Sequence, residues 1–189
     1  MARTPSNMLP LGTPAPDFRL PDTVSGRICT LDELRGESGT VILFICNHCP
    51  FVKHVNSEIV RLARQYQPLG IAFVAISSND VAGYPEDSPE KMKQTAAMEG
   101  YPFPYLYDES QQTARDYDAA CTPDFYLFDA SGKLVYRGQL DDSRPGNGIP
   151  VTGADLEGAL KNLLTGKPIA AIQKPSLGCN IKWKPTPDA

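Results

Sequence analysis

The sequence predicts an α/β fold, with a mixed central sheet and helices on both faces. Short apolar runs of strand length alternate with amphipathic helical patterns, and a hairpin signal further on adds antiparallel strands. The chain has 189 residues, 41% of them hydrophobic and 21% charged, which suits one globular domain. We expect a single domain over 1–189, with a core at about 12–165 and a C-terminal tail, 166–189, that packs on it.

The N-terminal part predicts a β-hairpin followed by a short helix. Residues 17–20 and 27–30 alternate polar and apolar side chains, and the segment 21–26 between them contains turn-forming residues. Thr30 and Glu33 have the spacing of a capping box, so a helix should begin directly after Thr30.

Two buried parallel strands are predicted on either side of an amphipathic helix. Residues 41–45 and 71–77 are nearly continuous apolar runs, too short for helices and without alternation, as in strands buried on both faces. After Pro50, apolar side chains recur at helical spacing as far as Tyr66. This helix is a crossover connection, and strands joined by a crossover are parallel.

The rest of the chain predicts three further helices and three further strands. Helices are predicted at 88–99, 110–119 and 155–164, and strands at 103–107, 124–128 and 133–137. The last two strands flank the segment 129–132, whose Asp-Ala-Ser-Gly sequence is a strong hairpin signal.

Charge and hydropathy argue against nucleic-acid and membrane partners. Eighteen basic and twenty-two acidic side chains give a net charge of −4, and no basic run occurs. The longest apolar runs are six residues, whereas a membrane span needs about 20. The N-terminal residues contain no apolar stretch of signal-peptide length, so we expect a cytoplasmic protein with reduced thiols.

The stretch Cys46–Pro50, with the sequence Cys-Asn-His-Cys-Pro, is the strongest candidate site. It lies between the first buried strand and the crossover helix, where a Cys-x-x-Cys is typical of thiol redox proteins. Backbone N–H groups and the dipole at a helix N-terminus stabilise a thiolate. We therefore predict that Cys46 is the exposed attacking thiol at the cap and that Cys49, one turn inside, is the resolving thiol. His48 should add a nearby cation that favours the Cys46 thiolate.

Two further cysteines are candidate redox residues. Cys121 lies two residues before a proline, and Cys179 lies in a tail segment with the only Trp, which should pack back on the domain. The competing interpretations are a small buried core residue for Cys121 and a purely structural tail for Cys179. Cys29 is predicted to be a core residue.

A metal site is an alternative use of the same motif. Cys46 and Cys49, with one or both of His48 and His54, could bind zinc or copper in a protein without catalysis. Structural zinc sites usually offer a second pair of ligands, which this sequence does not provide. We therefore expect no metal or other cofactor.

Several segments resemble the peroxiredoxin-like branch of the thioredoxin-like superfamily, the alkyl hydroperoxide reductase and thiol-specific antioxidant group. Residues 12–21 and 30–36 resemble that branch's start, and 121–126, Cys-Thr-Pro-Asp-Phe-Tyr, resembles the segment carrying the superfamily's cis-proline. The resemblance covers residues 12 to about 165. It implies a three-layer thioredoxin-like fold, a cis peptide at Pro123, and a substrate groove shaped by Thr122 and Pro123.

The motif and the resemblance together imply a thiol–disulfide oxidoreductase with Cys46 and Cys49 as its redox pair. The alternative is a peroxiredoxin-like thiol peroxidase with antioxidant activity. The peroxiredoxin pattern Pro-x-x-x-Thr-x-x-Cys is kept at neither cysteine, which favours disulfide exchange. Expected partners are protein or small-molecule disulfides and a reducing thioredoxin or glutathione system, with the protein a monomer or homodimer.

Overall fold

The computed structural model describes residues 3–185. The strands are β1 (Arg3–Pro5), β2 (Arg19–Pro21), β3 (Ile28–Thr30), β4 (Gly39–Phe44), β5 (Ile71–Ser77), β6 (Tyr105–Tyr107), β7 (Cys121–Thr122), β8 (Asp124–Asp129), β9 (Leu134–Gly138) and β10 (Leu177–Asn180). The α-helices are α1 (Leu31–Leu34), α2 (Pro50–Tyr66), α3 (Pro89–Glu99), α4 (Gln112–Asp116) and α5 (Ala154–Leu164), and 3₁₀ turns lie at Gln67–Leu69 and Pro85–Asp87.

The central sheet has five strands in the order β6-β5-β4-β8-β9. Strand β4 pairs in parallel with β5 and antiparallel with β8, so the predicted mixed sheet is confirmed. Every residue of β4 is buried, because alternate side chains enter two different cores. Val41 and Leu43 pack with α2, α3 and α5, whereas Ile42 and Phe44 pack with residues of α1 and α4. The helices therefore cover both faces, as predicted.

Helix α2 begins at Pro50, as the sequence predicts, but its N-cap is Cys49. Pro50 has no N–H to lose and its fixed φ suits the first helical position, while Cys49 keeps an extended backbone. The prediction that Cys46 caps the helix and Cys49 lies a turn inside is therefore wrong. Cys46 precedes the cap by three residues, in the segment between β4 and α2.

Local signals predicted most of the smaller elements. The hairpin β2–β3 forms with Leu20 opposite Cys29, and Thr30 and Glu33 make the predicted capping box. The hairpin β8–β9 and helices α3 and α5 also form as predicted. The helix predicted at 110–119 is shorter, only Gln112–Asp116. Gln111 before it and Asp118 after it have φ values of +63° and +49°, which no α-helix accommodates.

A second, three-stranded antiparallel sheet has the order β1-β10-β7 and was not predicted as strands. It attaches the C-terminal segment Leu177–Asn180 to Thr122, because Cys179 is the register partner of Thr122 on one side and of Arg3 on the other. Among residues 3–185, no helix combines the length and the apolar character needed to cross a membrane.

Candidate functional site

Both cysteines of the Cys-x-x-Cys motif contact Thr122, the residue before Pro123. The Cys46 Sγ lies 3.4 Å from the Thr122 Oγ1, and the Cys49 Sγ lies 3.3 Å from the Thr122 carbonyl oxygen. The peptide between Thr122 and Pro123 is cis, as the resemblance implied. The fold therefore brings together the end of β4, the start of α2 and strand β7, and with them four residues that the sequence singled out.

Neither thiol of the motif is exposed. The side chain of Cys46 is 2% exposed and that of Cys49 is fully buried, so the prediction of an exposed Cys46 is wrong. Cys46 lies two residues after the end of the fully buried strand β4, and the Thr122 hydroxyl contacts its sulfur. In this structure neither sulfur is therefore open to solvent.

A fully buried carboxylate, Asp87, holds the segment between the two cysteines. Its oxygens accept the backbone N–H groups of Asn47 at 2.8 Å and His48 at 3.3 Å. They also accept the Asn79 amide at 2.8 Å and lie 2.6 Å from the His48 Nδ1. Sequence inspection missed Asp87, because it belongs to a 3₁₀ turn about 40 residues away and no local pattern marks it.

His48 is bound by this carboxylate on one side and stacks on Tyr84 on the other, with ring centroids 5.4 Å apart. It lies near Cys46, as predicted: the donor atoms of Cys46, His48 and Asp87 lie within 4.8 Å of one another. His54 points elsewhere and its Nε2 lies 2.7 Å from the Ser143 Oγ. The donor set is thus a cysteine, a histidine and an aspartate, and differs from the predicted one.

The thiolate of the motif is favoured on Cys49. A hydrogen bond from the Cys46 thiol, another from Cys179 and the N–H of Val52 at the helix N-terminus lower the pKa of Cys49 to about 5. The pKa of Cys46 is raised, because its proton is shared with Cys49, its site is dry, and Asp87 is nearby. The sequence predicted the reverse. The cap position of Cys49 explains the difference, since the free N–H groups of α2 point at that sulfur.

The tail brings a third thiol into the site. The Cys179 Sγ lies 2.8 Å from the Cys49 Sγ, and Cys179 is 1% exposed. The Cys121 Sγ points to the Pro123 carbonyl oxygen, 3.8 Å away, and burial raises the pKa of its thiol far above the ordinary range. Cys29 packs in the core on the opposite face of the sheet, as predicted. None of these cysteines forms a disulfide in the structure.

A second buried carboxyl group, Asp124, follows the cis-proline and faces Phe44 across the sheet. It accepts hydrogen bonds from the Ser6 hydroxyl at 2.6 Å and the Tyr126 hydroxyl at 3.0 Å. Complete burial nevertheless raises the pKa of Asp124 to about 7. The sequence placed this residue at the start of a strand without indicating that its side chain would lie in the core.

Comparison with known proteins identifies the family. Residues 11–137, about two thirds of the chain, match the model of the AhpC/TSA family. The chain belongs to the AhpC/TSA family. This agrees with the resemblance to the peroxiredoxin-like branch of the thioredoxin-like superfamily, and the mixed sheet with helices on both faces is the thioredoxin-like fold that it implied.

Two solved structures resemble this AhpC/TSA protein over nearly its whole length. An uncharacterized conserved protein of Geobacillus kaustophilus is 60% identical, with a TM-score of 0.97 and 99% of each chain covered. The hypothetical protein SMc02350 of Sinorhizobium meliloti 1021 is 48% identical, with a TM-score of 0.93, over 96% of this chain and 98% of that one. Both support the whole fold, including the C-terminal segment.

A relative with a described activity matches more distantly. Over 128 residues the chain is 28% identical to the thiol:disulfide interchange protein DsbE of Allochromatium vinosum. The match covers 66% of this chain and 64% of the DsbE protein. The name of that relative describes interchange between thiols and disulfides, and the sulfurs of two cysteines converge on Thr122 here.

Proposed function

We propose that this protein is a thiol–disulfide oxidoreductase whose redox pair is Cys46 and Cys49. The observation that carries the proposal is the convergence of both sulfurs on Thr122 beside the cis-proline, at the N-terminus of α2. The lowered pKa of Cys49 supports it, because the attack of Cys49 on the mixed disulfide at Cys46 requires a thiolate. Family membership and the similarity to DsbE point to the same class of chemistry.

The reduced pair carries one proton between its two sulfurs at neutral pH. When that proton moves from Cys46 to Cys49, the Cys46 thiolate can attack one sulfur of a substrate disulfide. The substrate S–S bond breaks, a mixed disulfide forms on Cys46, and the first substrate thiolate leaves. Cys49 then passes its proton to a departing thiolate and attacks the Cys46 sulfur. This step releases the second substrate thiol and leaves the Cys46–Cys49 disulfide.

Asp87, His48 and Thr122 are positioning residues in this scheme. Asp87 fixes the backbone of residues 47 and 48 through two N–H bonds, and this sets the separation of the two sulfurs. Thr122 contacts both sulfurs, through its hydroxyl and its carbonyl oxygen. We propose disulfides of proteins or small molecules as substrates, with a thioredoxin or glutathione system reducing the pair again. A reducing compartment such as the cytoplasm suits that cycle.

The test is the stoichiometry of thiol release from one equivalent of a chromogenic aryl disulfide by the pre-reduced protein. Wild type should release two aryl thiols per chain, and Cys49→Ser should release one and retain a mixed disulfide on Cys46. Cys46→Ser should release none rapidly, whereas the control Cys29→Ser should match wild type, because Cys29 packs on the opposite face of the sheet. Rapid release of two thiols by Cys46→Ser would contradict the assignment.

The same preparations separate the two alternatives. A thiol peroxidase would lose the Cys46 or Cys49 thiol faster to hydrogen peroxide than to the aryl disulfide. A metal protein would retain zinc or copper in stoichiometric amount when purified without chelator. The geometry favours disulfide exchange over metal binding, because both oxygens of Asp87 are already used by backbone and side-chain hydrogen bonds.

A further inference from the structure

The third thiol of the site, Cys179, lies closer to Cys49 than atoms in ordinary non-bonded contact. The two Sγ atoms are 2.8 Å apart, whereas heavy atoms in ordinary contact lie about 3.5–4.0 Å apart and the sulfurs of a disulfide about 2.05 Å. Reacting atoms in a near-attack arrangement are typically about 3–3.5 Å apart. At 2.8 Å the two sulfurs are already closer than that range, so no further approach is needed for Cys179 to attack Cys49.

The backbone fixes Cys179 in this place from two sides. Strand β10 pairs with β7, where Cys179 is opposite Thr122, and with β1, where it is opposite Arg3. Gly178 allows the approach, because a Cβ at this position would collide with the Thr122 carbonyl oxygen. The Cys49 Sγ lies 3.3 Å from that same oxygen. The contact between the two sulfurs is thus built by the strand pairing of the tail.

We propose that Cys179 is a third redox residue, which exchanges disulfides with Cys49 after the Cys46–Cys49 bond has formed. The inference rests on the proposed function, since it requires that bond as its starting point. The Cys179 thiolate attacks the Cys49 sulfur, the Cys46–Cys49 bond breaks, and the Cys49–Cys179 bond forms. Cys46 leaves as a thiolate and takes up the proton that Cys179 gives away. The number of disulfides is unchanged, so no further oxidant or reductant is required.

The electrostatics favour this order of events. In the reduced protein, burial and the neighbouring Cys49 raise the pKa of Cys179 to about 12, so its thiol stays protonated. Once Cys49 is part of a disulfide, its charge no longer opposes a Cys179 thiolate. Burial and the nearby Asp87, two of the causes that raise the pKa of Cys46, remain after the exchange and favour its protonated form. The exchange therefore stores the oxidation in a bond between two fully buried residues and returns Cys46 to its reduced form.

Cys121 does not fit this role, although it precedes Thr122 in the chain. Its sulfur points to the Pro123 carbonyl oxygen, and in the β7–β10 pairing its register partner is Asn180 rather than Cys179. Cys121→Ser is therefore a control that changes a buried cysteine of the same strand pair without touching the proposed exchange.

The test is disulfide mapping of the protein after complete reaction with one equivalent of aryl disulfide, followed by alkylation with iodoacetamide. Non-reducing digestion and mass spectrometry should show a Cys49–Cys179 bridge and an alkylated Cys46 in wild type and in Cys121→Ser. In Cys179→Ser the bridge should be Cys46–Cys49, and alkylation of Cys46 should be lost. A wild-type protein with a Cys46–Cys49 bridge and an alkylated Cys179 would overturn this inference and leave the proposed function intact.

Two other outcomes are equally informative. If no bridge that includes Cys46 or Cys49 forms in any variant, the proposed function itself fails. If Cys179→Ser does not fold, the wild-type disulfide map still distinguishes a Cys49–Cys179 bridge from a Cys46–Cys49 bridge, because the bridge and the alkylated cysteine are identified in the same sample. Cys46→Ser adds an independent measurement: slow oxidation by oxidised dithiothreitol should give the Cys49–Cys179 bridge directly, and an absence of that bridge would also overturn the inference.

Discussion

Replacing Cys46 by alanine should raise the pKa of Cys49. The largest cause of the low Cys49 pKa of about 5 is the hydrogen bond that it receives from the Cys46 thiol. A hydrogen bond to a charged group contributes about 1.5–3 kcal/mol, and one pKa unit corresponds to about 1.4 kcal/mol. Cys46→Ala should therefore raise the Cys49 pKa by about 1–2 units. Cys46→Ser keeps a hydroxyl donor and should shift it less.

The measurement is the ultraviolet absorbance of the thiolate in the reduced protein, followed against pH. Wild type should show one thiolate titrating near pH 5, and Cys49→Ser should lose that transition. Comparing Cys46→Ala with Cys46→Ser separates the effect of the lost hydrogen bond on the Cys49 pKa from the effect of losing the Cys46 sulfur. Equal transitions in Cys46→Ala and wild type would refute the hydrogen-bond explanation. A wild-type protein without any thiol that titrates below neutrality would refute the low pKa itself.

Three further predictions concern the residues around the thiols. Asp87→Asn should lower the free energy of unfolding by about 1–3 kcal/mol, because a buried N–H or ring donor loses its acceptor; equal denaturation midpoints for variant and wild type would contradict this. Asp124 has a raised pKa of about 7 in the folded protein, so its protonated form is favoured by folding. The resulting contribution to the free energy of unfolding, up to about 4 kcal/mol, is complete below about pH 4 and is lost as the pH rises through about 7. Asp124→Asn should remove that pH dependence, and a difference between variant and wild type that is constant with pH would argue against it. Gly178→Ala should destabilise the protein by about 1–3 kcal/mol, because the added methyl group collides with the Thr122 backbone. The control is Gly158→Ala in α5, which should be neutral or stabilising because a Cβ there meets nothing within 4 Å. Similar effects of the two substitutions would show that the close approach of β10 is unimportant.

The sequence predicted the parts of the fold that depend on local patterns. The run over 41–45 does not alternate polar and apolar residues, because its side chains enter two cores. This continuous apolar pattern is visible in the sequence and predicts a strand buried on both faces. The helix after Pro50 and the hairpin at 129–132 follow from proline geometry and turn preferences in the same way. The cis peptide at Pro123 was predicted from the family resemblance alone, because no local sequence propensity indicates it.

The parts that were missed depend on contacts between distant residues. Cys49 and Cys179 are separated by 130 residues, and the strand that carries Cys179 exists only because β1 and β7 lie on either side of it. The thiolate was predicted on Cys46 rather than on Cys49, because its position depends on the residue at which α2 begins. The helix begins at Pro50, so its free N–H groups point to Cys49 and not to Cys46.

If Cys46 is the attacking thiol, it must be the first residue that bonds to a substrate sulfur. Reduced wild-type protein is mixed with one equivalent of aryl disulfide, quenched in acid within the first turnover, and mapped by mass spectrometry without reduction. The aryl group should appear first on Cys46 and should then be replaced by a Cys46–Cys49 bridge. An aryl group found first on Cys29 or Cys121, or both motif cysteines still reduced after the disulfide is consumed, would contradict this expectation.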